Sequence, residues 1–542
     1  MAPTRRMVGF GALAAAVLSA APRVALAYGG DSYSVSGKKG PYVKQVAGRS
    51  FGLGGGSGSM GLASDTGNLG RYQAARLRMP QTEAKIAALL AQIDATWPYA
   101  KGQPLQVHIL GVDYYNAYSL ADGSIVVAFG LLDQAQSDDE VAFVLAHELG
   151  HVRLGHFARQ PDTATRQNTI NSAAEFLVVS SALQAGGLNS SAVSAATQAA
   201  ATTDLLKFMT TVMVEPEHTR AQEDEADCIG YDLSQAAAFS ADSASAKVFD
   251  TIQADQQKRA AVVDTLDSQL KSQLSHAITS GGAVTLITGS SSDLRTGLLQ
   301  GAGRLALGVA ASRNAQPPPQ HRPPEERKRG MAEYSAAAYP EGAPLRDEQH
   351  AWLTAVRASS EFAQAKLAVA AVAATKQARS DGRYPDARAA IQHARQTTFR
   401  NAPLVVNEAA RLSDDTGDTP GAEKLFQQAN ASPDQTVDGY VDHVRMLYRT
   451  QQYDRALAVA SEGVGRFGND DRPFISLRIA INYQAGHTDE VEADLQRCES
   501  YGNPDLTKDC RLAAGKSATA DPPQQQQQAP SMPNLPFGLP HF

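Results

Sequence analysis

The chain has 542 residues, a formal net charge of −7, and 43% hydrophobic against 19% charged residues. That is ordinary globular usage with enough chain for two cores, and the acidic balance argues against nucleic acid or an anionic membrane surface as the main partner. The 3 cysteines are too few for a disulfide scaffold. In chain order, Arg5 and Arg6 precede an apolar stretch at 8–21, and Ala25-Leu26-Ala27 is a small-x-small cleavage site. Residues 1–27 therefore read as a signal peptide processed before Tyr28, with an apolar run too short to serve as a transmembrane anchor. Position 28 is Tyr and not Cys, so no lipoprotein is expected, and Thr4-Arg5-Arg6 also admits a twin-arginine signal. The expected location is a bacterial periplasm. The segment 28–66, glycine-rich after Phe51, reads as a flexible N-terminal stretch.

Further along, Ser137-Asp138-Asp139-Glu140 reads as a capping box that opens a helix, and the apolar run 141–146 carries that helix into a core. On it, His147-Glu148-Leu149-Gly150-His151 places two imidazoles four residues apart on one face, with a carboxylate between them. That pattern suits a hydrolytic zinc site. Two imidazoles hold the ion too loosely, so a third protein ligand is required, with one position left for water. His156 is out of register for that role, turns to the wrong side of the helix, and reads as structural. The better source is 219–227, where Glu223 and Asp227 stand one helical turn apart. One of these carboxylates can bind metal while the other accepts the second N–H of a ligating His.

Between these blocks, 163–214 is rich in Ala and Ser with apolar clusters, and its polar interruptions argue against a membrane-spanning helix. The proline-rich stretch 316–324 breaks helix near the end of the first domain. Beyond it, a phrase recurs at Gly382-Arg383-Tyr384 with Ala387, Gly417-Asp418-Thr419 with Ala422, Gln451-Gln452-Tyr453 with Ala456, and Gly486-His487-Thr488 with Val491. The spacings of 35, 34 and 35, with helical apolar patterning on both sides, resemble tetratricopeptide repeats. Such helix pairs stack into a solenoid whose concave face can hold partner segments. Cys228 reads as a small buried residue, whereas Cys498 and Cys510 could pair in an oxidising compartment. The Gln- and Pro-rich end, 516–542, reads as disordered.

Three blocks together resemble the M48 metallopeptidases, a gluzincin family: 116–132, the HELGH motif at 147–151, and R-x-x-E-x-x-A-D at 220–227. The resemblance implies an α+β gluzincin domain, mostly helical with a small sheet, at 67–335. An all-α tetratricopeptide-repeat solenoid at 345–515 would follow it. It assigns one Zn²⁺ to His147, His151 and Glu223, leaves Asp227 as the outer partner of a ligand imidazole, and gives Glu148 the role of general base. Ala117, Tyr118, Ser119 and Leu120 would form an edge strand beside the cleft, to which an unfolded substrate adds as another strand. His321 falls near the family's His-Pro segment, with Arg322 where the family usually has Pro; it is either a solvated linker residue or an imidazole that would close the open zinc position or aid the tetrahedral intermediate.

The architecture is similar to that of exported members of the family that assist outer-membrane β-barrel assembly. The implied function is zinc-dependent hydrolysis of unfolded or misassembled envelope proteins, with the repeats binding clients or an assembly machine. The competing reading is a non-proteolytic periplasmic chaperone or scaffold with a structural or vestigial zinc site.

Overall fold

The computed structural model describes residues 40–47, 75–99, 101, 104–120, 123–156, 197–198, 200–202, 204–205, 218–279 and 322–516. The signal peptide, the glycine-rich run, most of 163–214, His321 and the C-terminal tail lie outside them.

A single helical turn, α1 (Tyr42–Gln45), comes first, followed by α2 (Pro80–Asp94), whose Pro80 takes the first helical position where a missing N–H costs nothing. Three short strands form one sheet in the order β1-β3-β2: β1 (Gln106–Leu110), β2 (Ala117–Ser119) and β3 (Ser124–Ala128). β1 runs parallel to β3 and β2 antiparallel to it, with Ala117 opposite Val127 and Ser119 opposite Ile125. β3 is buried at every position, as a central strand with an apolar SIVVA sequence should be. β2 is therefore an edge strand, with Leu120 just past its end.

After α3 (Phe129–Gln134), the motif helix α4 (Asp138–Leu154) is buried along nearly its whole length. Ser137 caps it by accepting from the Glu140 N–H at 3.3 Å, and Gly155 ends it in the left-handed conformation at φ 64°. The reciprocal half of the expected capping box is absent. Asp138 and Asp139 turn outward to other segments: Asp138 accepts from the backbone N–H groups of Trp352 and Leu353, and Asp139 from those of Ser240 and Gln349. A complete capping box occurs instead at Thr219 and Gln222, opening α5 (Arg220–Ala236). α6 (Ala241–Thr279) and α7 (Pro324–Ala338) complete this part of the fold.

The C-terminal part is all helix. α8 (Ala351–Arg357) leads into four successive hairpins: α9 (Ser360–Ser380) with α10 (Tyr384–Arg395), α11 (Pro403–Asp415) with α12 (Thr419–Asn430), α13 (Val437–Arg449) with α14 (Tyr453–Arg466), and α15 (Ile475–Ala485) with α16 (Thr488–Ser500). α17 (Pro504–Ala513) closes the row, tied to α16 by the Cys498–Cys510 disulfide. The recurring phrase now has a physical cause. Its first residue makes each hairpin turn at positive φ: Gly382 at 70°, Gly417 at 82°, Gln451 at 60° and Gly486 at 80°. Its small residue, Ala387, Ala422, Ala456 or Val491, is buried where the paired helices approach.

Two observations bear on the expected segments. Within 28–66, Tyr42 and Val46 are fully buried against the first core. One apolar cluster runs from Tyr42 through the motif helix to Leu412, across 335–345, and a second begins at Ala410. Phe129 stacks on Phe362 at 4.8 Å, and the Arg357 guanidinium donates to the Leu132 and Ala135 carbonyls. Among the described residues, no helix is long and apolar enough to cross a membrane.

Candidate metal centre

α4 and α5 approach closely at two glycines. A Cβ on Gly230 would stand 3.0 Å from the His147 backbone nitrogen, and one on Gly150 3.4 Å from the Ala226 Cα. This close packing sets the imidazoles of α4 against the carboxylates of α5. His147 Nε2 and His151 Nε2 lie 3.1 Å apart, with the Glu223 oxygens 3.5 Å from the first and 3.4 Å from the second. Tetrahedral zinc with ligands at about 2.0–2.1 Å spaces its donors by roughly 3.3–3.4 Å. Two imidazoles and one carboxylate at these separations fit that ion, with a fourth position left over. All three side chains are buried.

The outer partners are equally defined. His147 Nδ1 lies 2.9 Å from Asp227 Oδ1, an ion-pair contact that would leave Nε2 to face a metal. Asp227 is held in turn by a two-pronged ion pair with Arg327 of α7, at 2.9 and 2.6 Å. Burial opposes charge on the Asp227 carboxyl, but Arg327 and His147 outweigh it and hold it down at about 2. Burial likewise opposes charge on His147, yet the hydrogen bonds to Asp227 and Glu223 push it up to about 10. Without metal, the ring therefore keeps a proton where a cation would otherwise sit. Burial, reinforced by neighbouring His218, holds His151 well below its ordinary value, leaving that ring neutral. Glu148 is buried, and the Ser119 hydroxyl of β2 donates to its carboxylate at 2.9 Å.

Residues 80–296 match the model of peptidase family M48. This part of the chain is similar to the M48 peptidases. The chain is also 33% identical over 132 residues to the metalloprotease LoiP of Escherichia coli, which covers 24% of this chain and 45% of that protein. To the metalloprotease YcaL of the same organism it is 42% identical over 55 residues, 10% of this chain and 21% of that one. The chain thus spans less than half the length of either relative.

Within residues 80–296, the structure brings His147, Glu148, His151, Glu223, Asp227 and Ser119 together. Several neighbours had no sequence signal. His218 stacks on His151 with ring centroids 3.7 Å apart, and His156 Nδ1 lies 2.8 Å from His151 Nδ1. The expected turn of His156 to the wrong side of the helix does not arise, because the helix ends at Leu154 and left-handed Gly155 sets His156 directly behind the His151 imidazole. Arg322 pairs with Asp224 at 2.9 and 3.1 Å, tying the residue after His321 to α5.

Proposed function

We propose that the chain is an exported zinc-dependent endopeptidase acting on unfolded or misassembled envelope proteins. The observation that carries this reading is the cluster of His147, His151 and Glu223, whose ligand atoms all lie within 4.8 Å of one another, with Glu148 next to His147 on the same helix. His147, His151 and Glu223 would hold the metal. When bound, zinc would lower the pKa of a water to about 7 and polarise a scissile carbonyl. The chain's own residues do the rest. Glu148 takes the attacking water's proton and passes it to the leaving amine, and Ser119 keeps that carboxylate aimed. Asp227 fixes His147 in the metal-facing tautomer. A site with three protein ligands leaves room for the water that catalysis needs, whereas a structural zinc site usually has four.

Edge strand β2 supports extended substrates, because an added strand gains main-chain hydrogen bonds without demanding a particular sequence. Export to an oxidising periplasm is supported by the signal-like residues 1–27 and by the Cys498–Cys510 disulfide. The helix hairpins, read as tetratricopeptide repeats, would hold clients or an outer-membrane assembly machine. The test is metal analysis beside casein cleavage, comparing the chain with Glu148→Gln. The reading expects zinc retained and cleavage lost; equal cleavage by both forms refutes it.

A further inference from the structure

The side of His151 away from the metal-facing nitrogen is the start of a hydrogen-bonded chain that ends in the N-terminal segment. His151 Nδ1 lies 2.8 Å from His156 Nδ1, His156 Nε2 lies 3.3 Å from Glu225 Oε2, and the Tyr42 hydroxyl donates to Glu225 Oε1 at 2.5 Å. The protons can be counted along it. If Nε2 of His151 is the lone pair that faces the metal, its Nδ1 carries the hydrogen and donates to His156 Nδ1. His156 must then carry its own hydrogen on Nε2 and donate to Glu225, whose other oxygen accepts from Tyr42. Every link has one donor and one acceptor, and the chain terminates on a carboxylate.

His151, His156 and His218 could also be read as a second metal cluster, since their ligand atoms lie within 4.8 Å. The 2.8 Å separation argues for a hydrogen bond instead, because two nitrogens on one tetrahedral zinc stand roughly 3.3–3.4 Å apart. His156 is held for its task from the backbone side as well, since its carbonyl accepts from Gln222 Nε2 at 3.1 Å. Tyr42 is fully buried, and its turn is pinned at three further points. Its N–H meets the Tyr334 hydroxyl at 2.7 Å, the Val43 N–H donates to Asp232 at 2.8 Å, and Tyr99 donates to the Val43 carbonyl at 2.8 Å.

We propose that Tyr42, acting through Glu225 and His156, is a positioning residue that fixes the tautomer and ring direction of His151. The N-terminal segment thereby becomes part of the metal site. The proposal rests on the zinc reading above. The test is zinc affinity of the full chain by chelator competition, together with the visible absorption of the cobalt-substituted protein, which reports ligand geometry. Tyr42→Phe keeps the ring in the core and removes only the hydroxyl. It should weaken zinc binding about 10-fold, and His156→Leu up to about 100-fold, the range for partners of ligating histidines. His156→Gln, which can both accept and donate, should recover part of that loss. Adding Tyr42→Phe to His156→Leu should weaken binding no further, because the chain is already broken.

Wild-type zinc affinity and an unchanged cobalt spectrum in Tyr42→Phe, with only a lowered Tm, would reduce Tyr42 to packing and overturn the proposal. A different result marks failure of the zinc reading itself: wild-type affinity in His151→Ala would remove that residue as a ligand, and the proposal with it.

Discussion

Replacing Arg327 with Met should destabilise the metal-bearing core by about 3 kcal/mol, near the low end for breaking a buried ion pair. Asp227 has no solvent exposure and receives both prongs of the guanidinium, so the substitution strands a carboxylate where water cannot reach it. The low end applies because His147, whose ring keeps a proton without metal, remains a positive neighbour at 2.9 Å. The Asp227 carboxyl gives a second measure. Its drop from 3.8 to about 2 is worth about 2.4 kcal/mol at about 1.36 kcal/mol per unit. A depressed carboxyl stabilises the fold fully above its unfolded value of 3.8 and loses that contribution as pH falls through about 2. The gap between wild type and Arg327→Met should therefore be widest at neutral pH and narrow on acidification. The assay is urea unfolding of the chelator-treated protein from pH 7 downward, read on the transition that zinc shifts. Asp227→Asn should restore most of the loss in the double variant, since Asn still accepts from His147 and leaves no charge unpaired. A loss below about 1 kcal/mol at pH 7, or a gap that does not narrow in acid, would refute the reasoning.

Gly230→Ala should cost about 1–2 kcal/mol and weaken zinc binding, because the new Cβ would lie 3.0 Å from the His147 backbone and force α5 away from α4; unchanged zinc affinity would mean the two helices yield without disturbing their ligands. Gln451→Gly should stabilise the third hairpin by about 0.5–1 kcal/mol, relieving a non-glycine residue at φ 60° against the entropy glycine adds to the unfolded chain. A lowered Tm there would show that the Gln side chain contributes more than the turn costs. If His321 closes the open zinc position, as the resemblance implies, His321→Ala should raise basal cleavage of an unfolded substrate with zinc content unchanged, and equal basal rates would end that idea.

How much of this was legible in the sequence follows from distance along the chain. His147 and His151 are one helical turn apart, so α-helical periodicity alone puts them on one face, and Glu223 with Asp227 obeys the same rule. Joining the two pairs took the resemblance, because nothing local in 219–227 points back to 147. Arg327, Ser119 and Tyr42 reach the site across separations of 100, 29 and 183 residues to their partners Asp227, Glu148 and Glu225, and no period encodes such pairings. The apolar cluster crosses the boundary expected near 335–345 for the same reason. Proline content reports where helix must break, whereas the continuity of a core depends on contacts such as Phe129 with Phe362 that only the folded chain makes.

That dispersion has a consequence for the proposed activity. The groups that would face a metal come from α4 and α5, the partners of Asp227 and Glu225 from α7 and the N-terminal turn, and the Glu148 partner from β2. Each of these long-range contacts must close a loop before it stabilises anything, so a half-folded chain has only the two helical pairs, neither of which is a complete site. Metal binding free energy is then folding free energy, and zinc affinity should appear together with the tertiary core and not with helix content. A chain carried unfolded across a membrane would stay harmless to its surroundings until both the core and the metal are in place. Refolding the denatured chain in the presence of a zinc-sensing dye tests this: zinc uptake that tracks burial of Tyr42 and Tyr334 supports it, and uptake complete at the stage of helix formation would show that α4 alone suffices.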